Sequence, residues 1–247
     1  MANGAVIPNT EIAVDYWRPK ACTRVKHFFL SHMHSDHIQG LTPSWRNKLY
    51  CSEVTKKLLI HKFGIRDDII IDIEIGTPKI IDHDFCVTLF DANHCPGAVM
   101  FLFEGVFGRI LYTADFRCDA NMLESFRSRS LVDVVVDSCN PCSLGAVDVV
   151  YVDNTYFDKA VQFPSKEEAT EEIFKIIERH PFRQVLFVCY SLGKEDLLVK
   201  LATRLSEWII VSQEKMDLLK VLEVPNVFSV NTQDGRNLSH SRKLAIT

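Results

Sequence analysis

No stretch of this chain approaches the roughly 18 uninterrupted apolar residues that a membrane helix needs. The opening MANGAVIPNT carries neither a basic cluster nor a long apolar run. Secretion and membrane insertion are therefore not expected. The cysteine density of a small disulfide scaffold is missing as well: the 8 cysteines, Cys22, Cys51, Cys86, Cys95, Cys118, Cys139, Cys142 and Cys189, are scattered over 247 residues. Reduced thiols, in the cytosol or nucleus, are the expectation. There is also no excess of positive charge. Against 32 Asp and Glu stand 28 Lys and Arg, leaving a net charge of -4 and a pI near 6.1, so composition alone does not mark a nucleic-acid binder. What is plentiful is apolar material, 47% of residues, enough for one large core or two smaller domains.

The pattern divides the chain into two halves. From residue 4 to about 115, short segments rich in Val, Ile, Phe and Tyr predict strands: AVIPNTEIAVDYW, VKHFFLS, DIIIDIEI, FCVTLFDAN, GAVMFLFEG and GRILYTADF. One helix is expected in SEVTKKLLIHKFG, capped by Ser52 and stopped by Gly64. After about 150 the rhythm becomes strand, helix, strand, with helices at 165–180, near 194–205 and near 213–222. Such alternation predicts a parallel α/β unit. Ser165 and Glu168 form an S-x-x-E capping box, and Ile173, Ile176 and Ile177 supply an apolar face. Between the halves, LVDVVVDS and AVDVVYVDN nearly repeat each other around CNPCSLG. This is either a β-hairpin or a duplicated insertion over about 125–148. The pair Cys139-x-x-Cys142 has no second pair and is not read as a metal site.

The chemistry concentrates in FLSHMHSDHIQG, which places His32, His34, Asp36 and His37 within six positions, three of the chain's 9 histidines. On an extended segment, His32 and His34 project to the same side, where two imidazoles can share one metal. Asp36 and His37 follow at a turn and can address a neighbouring position. His94 in DANHCPG and Asp115 in LYTADF each end an apolar strand, the usual place for ligands brought from a distance. Asp15 in IAVDYW is a candidate to orient a ligand histidine.

The pattern H-x-H-x-D-H followed by a distant His and Asp resembles the metallo-β-lactamase superfamily. The fuller set VDYW, FLSHMHSDHIQGL, LYCS, DANHCPGAVMFLFEG, LYTADFR, YVDNTY, PSKEEA and YSLGKE resembles its β-CASP branch, the nucleases of DNA cross-link repair. The resemblance implies an α/β fold: a metallo-β-lactamase αββα sandwich, incomplete at its C-terminal end, over 1–150, and a partial inserted β-CASP subdomain over 151–247. It implies that His32, His34, His94 and Asp115 hold one Zn2+ ion and that Asp36, His37 and a bridging Asp115 hold a second. Asp15 matches the first motif of the sandwich and Asp153 the acidic motif opening the insert. Asp15, Asp36, Asp115 and Asp153 are thus the expected catalytic carboxylates, with Asp36 the choice for proton handling.

The implied function is zinc-dependent 5′-to-3′ exonucleolytic cleavage of DNA, in telomere end protection and interstrand cross-link repair, in the nucleus and at chromosome telomeres. Water acidified by zinc would attack phosphorus in line. By its residues alone, CYSLGKE is a capped helix start; with the resemblance, Ser191, Gly193 and Lys194 become a pocket for the 5′-phosphate. The second zinc site is expected to be incomplete, because the family's final strand-end histidine is not found before Thr247 and His240 is a poor stand-in. The segment with which longer relatives dock to the telomere protein complex is expected to be absent too, and no membrane partner is expected. Lys56, Lys57, Arg127 and Arg129 are weak candidates for DNA contact. Two alternatives stand beside the nuclease: a small-molecule hydrolase of the β-lactamase type, and a catalytically inactive truncated form.

Overall fold

The computed structural model describes residues 4–83, 85–128, 147–158, 160–181, 183–234 and 244–246. Cys139, Cys142, Arg129, His240 and most of the 125–148 segment lie outside them, as does the side chain of Arg127. The chain forms two compact units, Met1–Asn154 and Thr155–Thr247.

The first unit contains two five-stranded sheets. One runs in order through β1 (Ala5–Val6), β2 (Ile12–Val14), β3 (His27–Phe29), β4 (Leu49–Cys51) and β5 (Ile70–Asp72). Its first pair is antiparallel and the rest are parallel. The other holds β6 (Lys79–Asp82), β7 (Phe85–Asp91), β8 (Val99–Gly105), β9 (Gly108–Tyr112) and β10 (Val149–Tyr151). Here β6 to β9 form an antiparallel meander, and β10 joins β9 in parallel.

The two sheets share one core, because alternate side chains of each strand point to the same face. Phe29, Val14 and Tyr50 of the first sheet meet Leu89, Phe101, Phe103 and Tyr112 of the second. The Phe29 ring lies 5.4 Å from Phe101 and 4.9 Å from Phe103. The intervening residues face the other way. Met100 and Leu102 of β8 pack with Phe90 and Leu111 against Met122 of α2 (Ala120–Ser128). Burial on both faces explains why VMFLF reads as an unbroken apolar run rather than an alternating one. On the first sheet, Phe28 turns outward into a cluster with Trp17 and Trp45, and α1 (Glu53–Phe63) lies against β5. Two packed sheets with a helix beside each are compatible with an αββα sandwich.

Helix α1 begins where Ser52 accepts from the Thr55 N–H and ends at Gly64, whose φ of 61° is left-handed. In the second unit, α3 (Lys166–Arg179) starts with the capping box formed by Ser165 and Glu168. The apolar face of α3 differs from the expected one: Phe174 and Ile177 are buried, Ile173 packs beside them, and Ile176 is exposed. A parallel sheet follows, ordered β11 (Val185–Phe187), β14 (Leu244–Ile246), β12 (Ile209–Ile210), β13 (Phe228–Ser229), with α4 (Glu195–Leu205) and α5 (Gln213–Val221) between its strands in sequence.

Sequence periodicity did not anticipate β4, β6, α2 or β14. The strands among them have three or four residues, too few to display a period of two. The strand β10, grouped by sequence rhythm with the second half, pairs with β9 in the first unit, which extends to Asn154.

Phe29 is fully buried among three aromatic rings. Phe29→Ala is expected to lower unfolding free energy by about 3–5 kcal/mol, measured by urea denaturation. Val106→Ala, at a position 89% exposed, should change it by less than about 0.5 kcal/mol.

Candidate metal centre

Strand direction gathers the site. Asp15 follows β2, Ser31 to His37 follow β3, His94 follows β7, Asp115 follows β9 and Asp153 follows β10. These strands run in one sense within their sheets, so their carboxyl ends lie together at one edge of the sandwich. Three of the turns there bend through left-handed non-glycine residues: Asp15 (φ 54°), Asn93 (φ 52°) and Ala114 (φ 48°). Such residues cost free energy and cluster where surrounding structure enforces a particular side-chain direction.

Backbone bonds tie the turns to one another. Val99 N–H donates to the Ser31 carbonyl at 3.1 Å, and Arg117 N–H to the Ala92 carbonyl at 2.9 Å. Gly97 anchors the His94 turn, its carbonyl accepting from Ser52 Oγ at 2.7 Å and Thr55 Oγ1 at 3.0 Å. At Gly97 a Cβ would come within 2.8 Å of Thr55 Oγ1, and φ is +80°. Only glycine suits both conditions.

The imidazoles converge. His34 Nδ1 lies 3.1 Å from both His32 Nε2 and His94 Nε2. Asp115 Oδ2 stands 3.6 Å from His94 Nε2 and 3.9 Å from His32 Nε2, while its Oδ1 is 3.2 Å from His37 Nε2. Two groups of potential ligands result, His32, His34, His94 and Cys95 in one, and His32, His37 and Asp115 in the other. Asp36 belongs to neither; its Oδ2 is 3.8 Å from His37 Nε2 and its side chain is half exposed. Cys95 escaped the sequence reading, although its position beside His94 in NHCPG was a usable signal.

Behind these potential ligands lies Asp15, wholly buried. Its Oδ1 accepts from the Ser31 N–H at 2.8 Å, and its Oδ2 from Ser31 Oγ at 2.6 Å. His37 Nδ1 is 2.7 Å from the same Oδ2. Because the single Ser31 hydroxyl proton goes to Asp15, Ser31 Oγ can only accept from His32 Nδ1, 2.9 Å away. This assigns the proton of His32 to Nδ1 and turns the Nε2 lone pair toward His34, His94 and Asp115. The arrangement suits a metal ligand oriented by its hydrogen-bond partner.

Electrostatics agree. Burial, reinforced by His37, His34 and His94, lowers the His32 pKa to about 2, so its ring stays neutral. Burial pulls His37 down as well, yet its bonds to Asp115 and Asp15 outweigh that and raise it to about 10. The hydrogen bond from His37 holds Asp115 at about 2 despite partial burial. A cluster of imidazole nitrogens and carboxylate oxygens suits a divalent transition metal.

The remaining expected residues lie elsewhere. Asp153 N–H donates to Thr113 Oγ1 at 3.1 Å, which ties the end of β10 to the strand preceding Asp115. In the second unit, Gly193 N–H is taken by Glu195 Oε2 at 2.8 Å, and Lys194 Nζ lies 3.3 Å from the Gly193 carbonyl. Buried Glu195 pairs with Lys215 Nζ at 2.6 Å, which also donates to the Ser191 carbonyl at 2.6 Å. Lys56 is paired with Asp67 and Asp72, and Lys57 with Glu53.

Comparison with known proteins places this geometry in context. No family model matches the chain. It is 44% identical over 241 residues to the protein named 5′ exonuclease Apollo from Danio rerio, covering 95% of this chain and 40% of the relative. To 5′ exonuclease Apollo from Gallus gallus it is 41% identical over 244 residues, covering 98% of this chain and 50% of the relative. By sequence, the chain is similar to the proteins named 5′ exonuclease Apollo. It is also 36% identical over 236 residues to human DNA cross-link repair 1A protein, covering 92% of this chain and 21% of that protein. The chain thus spans half or less of the length of these curated relatives. Among solved structures, a protein of unknown function from Enterococcus faecalis V583 shares the fold, with a TM-score of 0.62 at 15% identity, covering 90% of this chain and 58% of that one.

Ser31→Ala removes the acceptor that fixes His32. The variant is expected to bind a divalent transition metal about 10–100-fold more weakly, as read by competition with a chromophoric chelator, while its far-ultraviolet circular dichroism stays unchanged.

Proposed function

We propose that this chain is a zinc-dependent 5′-to-3′ exonuclease of the Apollo type, acting on DNA with a 5′-phosphate in telomere end protection and interstrand cross-link repair in the nucleus. The observation that carries the reading is the convergence of His32, His34 and His94 at 3.1 Å contacts, with Asp115 shared toward His37. In this reading the first unit is a metallo-β-lactamase-like sandwich and the second a partial β-CASP unit. The names of the relatives, 5′ exonuclease Apollo and DNA cross-link repair 1A protein, support the choice of DNA as substrate.

One zinc ion would be held by His32, His34, His94 and Asp115, and a second, less completely, by Asp36, His37 and the same Asp115, and zinc would supply an acidified water and a Lewis acid for phosphoryl oxygens. The protein's own residues do the rest. Asp15, through Ser31 and directly, fixes the rings of His32 and His37 so that their Nε2 atoms face the substrate side. Asp36, half exposed beside His37, is placed to exchange protons with solvent. Asp153, tethered through its backbone to Thr113, would support the Asp115 strand end. In the second unit the Ser191 hydroxyl and Lys194 ammonium would receive the 5′-phosphate, since the Gly193 N–H is already committed to Glu195.

The test is hydrolysis of 5′-phosphorylated and 5′-hydroxyl single-stranded DNA by the purified 247-residue chain with zinc, alongside a chromogenic β-lactam. Shortening from the phosphorylated 5′ end is expected, lost on chelation and reduced by more than ~100-fold in His32→Ala, beyond what loss of an outer partner brings. Opening of the lactam with DNA left intact would reassign the site to small-molecule hydrolysis. A folded, zinc-loaded chain that cleaves neither would be the inactive form.

A further inference from the structure

Resting on the metal reading above, we propose that Asn93, with Asp119 as its partner, is a positioning residue that ties the His94 turn to the Asp115 turn and so fixes the spacing of two potential ligands. These residues follow different strands, His94 after β7 and Asp115 after β9. Their separation along the chain does not set the distance between them, which is 3.6 Å from His94 Nε2 to Asp115 Oδ2. A direct link between the two turns does.

Asn93 supplies that link through one amide group. Its Nδ2 donates to the Arg117 carbonyl at 3.2 Å and to Asp119 Oδ2 at 2.9 Å, so both protons of the amide nitrogen are used. Its backbone N–H donates to Asp91 Oδ1 at 2.7 Å. The Arg117 N–H returns to the Ala92 carbonyl at 2.9 Å, which makes the cross-link two-sided. Asp119 is anchored in turn. Its Oδ1 accepts from the Met122 N–H at 2.8 Å at the start of α2, and its carbonyl accepts from the Leu123 N–H at 3.1 Å. Met122 belongs to the buried cluster of Phe90 and Met100. The His94 turn is therefore braced, through Asn93 and Asp119, by a helix seated on the core.

The position makes two demands, and asparagine meets both. Its φ of 52° is left-handed, a conformation that Gly, Asn and Asp adopt at less cost than other residues. Its side chain must also present a donor to two acceptors, the Arg117 carbonyl and the Asp119 carboxylate. Glycine satisfies the backbone and leaves both acceptors without this donor. Aspartate suits the backbone too, but it would set a second carboxylate against Asp119 with no proton between them. The residue next to His94 thus carries the backbone bend and the cross-link together.

Zinc affinity of the full chain, read by competition with a chromophoric chelator, tests this, with the urea midpoint of each metal-free variant as the control for folding. Asn93→Gly keeps the left-handed backbone and removes only the amide. It is expected to bind zinc at least ~10-fold more weakly, the lower bound for losing a partner behind a ligand. Asn93→Asp should lose at least as much. Exchanging the two groups, Asn93→Asp with Asp119→Asn, again sets a donor against an acceptor, and the amide oxygen at position 119 can still accept from the Met122 N–H. That double variant should bind zinc more tightly than Asn93→Asp alone. Unchanged affinity in Asn93→Gly, an exchange that binds no better than Asn93→Asp, or affinities that merely track the urea midpoints would overturn the proposal and leave the metal reading standing. A folded, unsubstituted chain that binds no zinc would overturn both.

Discussion

The buried carboxylate of Asp15 is the constraint on which the site depends. A charge removed from water costs several kcal/mol unless hydrogen bonds replace its hydration. Asp15 has three donors around it, the Ser31 N–H, the Ser31 hydroxyl and His37 Nδ1. Meeting that requirement dictates much else. Ser31 must give its proton to Asp15, His32 must then donate to Ser31, and the Nε2 atoms of His32 and His37 are left pointing outward. Trp17 adds to the arrangement by donating to the His37 carbonyl at 2.6 Å. One carboxylate placed behind the imidazoles thus sets the tautomer and direction of two of them.

The sandwich makes this placement possible. Phe29 and Phe28 are consecutive, yet one enters the core between the sheets and the other the Trp17 and Trp45 cluster. With both faces of β3 filled, the strand cannot slide by one residue without exchanging every side chain between faces. The residues after Phe29 therefore emerge at a determined point, where the ends of β2, β7 and β9 also emerge. A site assembled from strand ends inherits the rigidity of the core behind it.

The second unit solves a related problem with an ion pair. Glu195 sits at the first turn of α4, a favourable place for a negative charge, and its burial is matched by Lys215 reaching from α5. Lys215 also holds the Ser191 carbonyl, so the pair shapes the turn that Ser191, Gly193 and Lys194 occupy. Removing either partner would leave a buried charge without compensation.

Much of this was legible in order of residues. H-x-H-x-D-H marked a cluster of imidazole and carboxylate groups, Ser52, Gly64 and Ser165 marked helix ends by local chemistry, and the apolar strands before His94 and Asp115 marked where potential ligands would emerge. Local rules suffice there because caps, turns and alternation involve residues within a few positions of one another. The sequence alone could not reveal that Asp36 stands apart from both groups of potential ligands, or that Gly193 is engaged by Glu195. Nor could three-residue β14 be recognised, since its place between β11 and β12 comes from pairing partners distant in the chain. The sequence by itself determined which donors the protein possesses and which strands carry them. Which donors meet was decided by the tertiary structure, because distances between strand ends follow from sheet packing and not from spacing along the chain.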